Sequence, residues 1–101
     1  MKFVTNYREF NENKTAPSVK DNTRNEELSK KECILKYMRS FEEDVVCPCK
    51  ICDEISGKDT EIPLIYYTDG EFMWDERDIY HFEKYNIRLN DDFVHKISAI
   101  T

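Results

Sequence analysis

The chain has 101 residues, 40% of them hydrophobic, and carries 21 acidic against 15 basic side chains for a net charge of −6. That length is one domain, 1–101, long enough to bury a core without obligatory staples. The charge argues against general nucleic-acid binding, and the presence of only two glycines argues against barrels and sandwiches.

MKFVTNYREF has no apolar h-region, and no run approaches transmembrane length, so a cytoplasmic chain with reduced thiols is expected. Residues 1–11 mix Phe3, Val4, Tyr7 and Phe10 with polar neighbours, as a short edge strand would. Residues 11–27 are polar with few anchors and read as a flexible loop or arm. Ser29 followed by Glu32 fits a capping box. Behind it, Ile34, Tyr37, Met38, Phe41 and Val45 fall on one helical face, which predicts a helix over 29–43. Glu42, Glu43 and Asp44 are badly placed at its negative end and mark where it frays. Cys33, next to Ile34, is expected as a small buried hydrophobe.

CPCKIC, residues 47–52, places three of the four cysteines within six positions. Thiolates are good zinc ligands, so Cys47, Cys49 and Cys52 form a candidate metal site. A fourth ligand would come from Cys33, His81, His95 or Asp53, because no second C-x2-C exists. Cys49 and Cys52 are formally a redox spacing, but the preceding acids disfavour a thiolate. The plainest reading is three reduced thiols on a loop that joins the helix to a hairpin.

IPLIYY is rich in β formers, and Thr68-Asp69-Gly70 before EFMW is a hairpin signal, giving strands over 62–68 and 71–74. Alternation puts Phe72 and Trp74 on one face and Met73 on the other. Asp75 caps a helix over 76–85, with Asp78 three positions on and Asn86 as a left-handed terminator. Asn90 caps a last helix over 91–98. The fold class is α+β: one long N-terminal helix and two short C-terminal helices packed on a small antiparallel hairpin or sheet.

His81 and His95 stand in no metal or catalytic spacing. The paired acids Glu42/Glu43, Asp75/Glu76 and Asp91/Asp92 are sequence neighbours, which diverge by about 100° on a helix. No catalytic residue is therefore assigned. The aromatic band from Tyr66 to Tyr85 holds more large rings than short elements can bury, and acids are interleaved with them. Glu71, Trp74, Asp75, Glu76, Asp78, Tyr80 and Glu83 are expected to form an acidic, aromatic surface for a protein partner. A monomer or weak dimer is expected.

Thr68-Asp69-Gly70, Phe72 to Trp74, Asp75 to Tyr85, Ile87-Arg88-Leu89 and Asp91 to Val94 together resemble a pattern in small bacterial proteins of the immunity-protein kind. These stand beside secreted toxins of polymorphic or contact-dependent systems. The resemblance covers about a third of the chain and leaves out the cysteines. It implies a stoichiometric inhibitor that blocks a basic toxin domain, with no catalytic residue. The alternative is a small zinc-binding accessory or regulatory protein using Cys47, Cys49 and Cys52.

Overall fold

The computed structural model describes residues 2–11, 14–24 and 29–100. Its elements in chain order are β1 (Lys2–Phe3), α1 (Arg8–Asn11), a 3-10 turn (Val19–Asn22), α2 (Lys31–Met38), β2 (Val45–Cys52), β3 (Asp59–Thr68), β4 (Phe72–Asp75), α3 (Glu76–Tyr85) and α4 (Asp91–Ile100). The four strands form one sheet in the order β1-β4-β3-β2. β1 runs parallel to β4, and the other two pairings are antiparallel. The α+β class is as expected, but the sheet is larger than a hairpin and the N-terminal helix is shorter than predicted.

Alternation along the strands sorts their side chains. Tyr67 pairs with Trp74 and Val46 with Ile65, so these share a face with Phe72. That inner face meets Ile34, Met38, Ile79, Phe82, Phe93 and Ile97 in the buried cluster. Trp74 sits at its centre. Its indole N–H donates to the Met38 carbonyl at 3.1 Å, and its ring lies 5.5 Å from Phe41 and 5.4 Å from Phe93. The donor is satisfied, so the ring is buried without an orphaned N–H.

Local chemistry fixes the C-terminal half as read. Asp75 accepts from the Arg77 amide at 2.7 Å while Asp78 accepts from the Asp75 amide at 3.0 Å, completing the capping box of α3. Asn86 terminates that helix at φ 54°. The Asn90 side chain accepts from the Asp92 amide at 2.8 Å to start α4. In the hairpin turn Gly70 has φ 96°, and Asp69 accepts from the Glu71 and Phe72 amides.

Four expectations are corrected. α2 starts at Lys31, and its N-cap, Lys30, makes no side-chain capping bond, so Ser29 and Glu32 form no capping box. α2 ends at Met38 rather than 43, because Ser40 turns back onto Tyr37 and the Asp44 amide already pairs with Tyr66 of β3. Cys33 is exposed, one position off the buried Ile34–Leu35 stripe. The cysteine segment is not a loop but lies within β2, where Val45 and Val46 begin the pairing.

Of the segment read as an arm, 12–13 and 25–27 lie outside the described residues. Within it, Ala16 and Val19 are buried, and Ser18 accepts from the Lys20 amide. Lys31 is buried too. Its ammonium donates to the Glu83 carbonyl and the Asn86 side chain, both at 2.7 Å, and so places a cation at the negative end of α3.

Candidate functional site

The interior holds three titratable networks. Asp53, 1% exposed, accepts from the Ile55 and Ser56 amides on one oxygen and from the Tyr80 and Tyr85 hydroxyls, at 2.7 and 2.6 Å, on the other. Burial works to raise its pKa, but those four donors outweigh it and hold the carboxyl well below the usual range. Asp69 repeats the design with the Glu71 and Phe72 amides, the Tyr37 hydroxyl at 2.7 Å and Lys96 at 2.9 Å. It too is held low against burial. Each carboxylate knots a tight turn to a helix.

His81 is fully buried beside them. Its Nδ1 lies 2.7 Å from the Arg77 carbonyl, and its Nε2 accepts from the Glu54 amide at 3.0 Å. These partners require a proton on Nδ1 and none on Nε2, a neutral ring. Burial lowers its pKa in the same sense. Nε2 ties the 53–57 turn to α3 and Nδ1 is spent on the Arg77 carbonyl of the same helix, a structural role rather than that of a poised base.

Asp75 and Asp78 form a third cluster with Arg77 and Thr5. The guanidinium bonds Asp75 through two nitrogens, at 3.1 and 2.9 Å, and reaches the Phe10 carbonyl at 2.7 Å. Burial, then the adjacent Asp75 charge, pushes the Asp78 carboxyl well above the carboxylate range. The Thr5 hydroxyl bonds it and can accept as well as donate, so a protonated Asp78 keeps its partner.

The residues expected to make one acidic, aromatic surface are dispersed. Trp74, Asp75 and Asp78 are 1%, 6% and 3% exposed. They cannot anchor a partner, because the first fills the core and the other two close the α3 cap. Tyr80 is half-buried and spends its hydroxyl on Asp53. Glu71 pairs with Lys2 and Lys96, and Glu83 with Arg39. Glu76 accepts from the Tyr67 hydroxyl and lines an acidic groove of about 670 Å³ with Phe41, Glu42 and Glu43. Of the expected set, the structure brings Asp75 and Asp78 together in the α3 cap, and Trp74 joins them in the lining of one cleft.

The surface that remains is the sheet's outer face. Met73 is in register with Phe3 and Thr68, Tyr66 with Val45, and Leu64 with Cys47, so these lie on the face opposite Trp74 and Tyr67, while Asp75, in register with Tyr66, is buried in the α3 cap. Phe3 is 56% and Val45 50% exposed, while Leu64, Tyr66 and Met73 are half-buried yet pack against no part of the core cluster. An antiparallel sheet with one solvated face ordinarily alternates polar residues outward. Here the outward set is largely apolar. A cleft of about 590 Å³ opens into it, lined by Phe3, Thr5, Phe10, Tyr66, Met73 and Arg77 among others. The signal was in the sequence: the run LIYY, residues 64–67 of IPLIYY, leaves no polar face, as a strand buried on both sides would.

Cys47 sits on this outer face, and Cys49 is exposed two residues on. Cys52 lies at the strand's end, with its thiol 3.4 Å from the Lys58 carbonyl. The extended backbone spreads the three thiols along β2. Among the described residues, no group of three or more His, Cys, Asp or Glu side chains is placed to hold a metal ion. No helix among them is long and apolar enough to cross a membrane. No family model, no curated protein and no solved structure matches this chain.

Proposed function

We propose that this chain is a non-catalytic binding protein that docks a basic protein partner on the outer face of its sheet. The observation that carries the reading is the apolar outward row Phe3, Val45, Leu64, Tyr66 and Met73, which the core leaves uncovered. An apolar sheet face left partly open to solvent in this way marks an interaction site. Exposed acids border it: Glu42, Glu43 and Asp44 lead into β2, and Glu61 stands on β3. With the net charge of −6, they favour encounter with a basic partner. The interior carboxylates and His81 support the same reading, since their hydrogen bonds knit the fold together.

The resemblance of residues 65–94 supplies a partner class, a basic toxin domain blocked by an immunity-type inhibitor. The test is photo-crosslinking in the native host from a reactive side chain placed at Val45 or Leu64, with His95 on α4 as control. A basic protein captured from both face positions, not from the control, and neutralised in its toxicity by this chain, is the expected result. Capture at the control position alone sinks the outer face as the site.

A further inference from the structure

We infer that the basic partner supplies an extended segment that adds a strand to the free edge of β2 along Val45–Cys47; this rests on the binding function proposed above. β2 has β3 on one side and no strand on the other among the described residues. Its ladder runs in unbroken register only through Val45, Val46 and Cys47, and irregularities follow toward Lys50 and Cys52. The edge guards that natural sheets use, a proline, a lysine and a bulge, are all present but all C-terminal to this stretch, at Pro48, Lys50 and the register shift. The opposite edge, β1, is only two residues long.

Side-chain exposure points the same way. Val45 belongs to the outer face and Val46 to the inner, yet they are 50% and 56% exposed. Exposure on both faces leaves this edge stretch open to a strand laid alongside it. One added strand would cover both and would also pair the outward backbone groups, the recognition mode of strand addition.

Charge selects the occupant. Glu42, Glu43 and Asp44 immediately precede the stretch and are exposed, as are Asp59 and Glu61 on the neighbouring strand. Lys50 and Glu61 are bonded to each other and offset one another, so the acids that set the local field are Glu42, Glu43, Asp44 and Asp59. A second copy of this chain would bring another −6 to the same edge. A segment alternating basic and β-branched residues satisfies the carboxylates and the valines together.

The probe is a synthetic hexapeptide alternating lysine and valine, titrated at millimolar concentration and low salt into the nitrogen-labelled full chain. Its controls are the glutamate–valine hexapeptide and the lysine–valine peptide with N-methylated backbone. The expected result is amide shifts centred on residues 44–48 with slowed exchange at one or more amides of Val45–Cys47. N-methylation, the glutamate peptide and Val46→Lys should each weaken binding at least about tenfold. Equal binding by the methylated peptide overturns strand addition and leaves face docking standing. Absence of shifts at 44–48 overturns it as well, and equal binding of the glutamate peptide overturns both readings. A concentration-dependent dimer that Val46→Lys dissolves makes a second copy the occupant and overturns the basic segment.

Discussion

Among single residues, Asp53 carries the most structure per atom. Two amides of its own turn and three α3 side chains, Tyr80, Tyr85 and Lys84, donate to it. Asp53→Ala would strand two tyrosine hydroxyls and two turn amides, and should destabilise by about 2–4 kcal/mol, whereas Tyr85→Phe removes one bond and should cost about 1 kcal/mol. Urea unfolding of the two variants checks the ratio. Asp78 obeys the opposite rule. Its folded-state pKa is raised, so the folded state binds the proton more tightly than the unfolded chain. The stability it contributes is fully present below the unfolded value near 4 and is lost as pH rises through the raised folded value. Asp78→Asn fixes the neutral form, keeps an acceptor for the Asp75 amide and offers Thr5 a donor. Its stability advantage over the parent should therefore grow with pH above about 4, by at most about 1.4 kcal/mol per pH unit. A difference that stays flat with pH would falsify the raised pKa. The buried neutral His81 works in the contrary sense: its folded pKa is lowered, so its contribution is present above about 6.5 and lost as pH falls. Comparing parent with variant cancels that background.

At the scale of elements, the β3–β4 hairpin turns on Gly70, whose φ of 96° has open space around the Cβ position. Gly70→Ala meets no clash, so its cost is backbone strain alone, about 1–2 kcal/mol in thermal or urea unfolding. The turn was readable because its requirement is local: Thr68-Asp69-Gly70 supplies the acceptor and the positive φ within three residues. The same holds for the Asp75–Asp78 box and the Asn86 terminator. β2 was not readable because cysteines, a proline and a lysine give no alternation, and β3 across the ladder decides its conformation. α2 is shorter than its sequence pattern for a related reason. Phe41 continues the helical spacing in sequence, but it reaches Trp74 and Tyr37 from a turn. Long-range partners such as Thr5 to Asp78 and Tyr37 to Asp69 leave no trace in local pattern. The acidic, aromatic surface does not form for the same reason: TDGEFMWDERD is contiguous in sequence, but strand alternation turns Trp74 inward and the α3 cap buries Asp75 and Asp78.

For the whole molecule, the two faces of the sheet set the terms. One face gathers the helices and the N-terminal segment into a single core. The other keeps apolar side chains in water, which stabilises nothing in the isolated chain and is useful only if something covers them. Folding and binding should therefore separate by mutation. Val45→Lys and Leu64→Lys alter side chains outside the core cluster, so each should move folding stability by no more than about 0.5 kcal/mol. Against the basic partner captured by crosslinking, each removes an apolar contact and adds a like charge. Affinity should fall at least about tenfold, roughly 1.4 kcal/mol. Glu83→Gln, in its exposed pair with Arg39, should leave both quantities unchanged. The acids around β2 make a second demand on the same complex. Exposed charges are screened over about 8 Å at physiological salt, so association should slow as ionic strength rises while dissociation changes little. Surface plasmon resonance on the parent and the three variants across a salt series measures all of this. Binding that survives both lysine substitutions, or that is indifferent to salt, would move the site away from the open face.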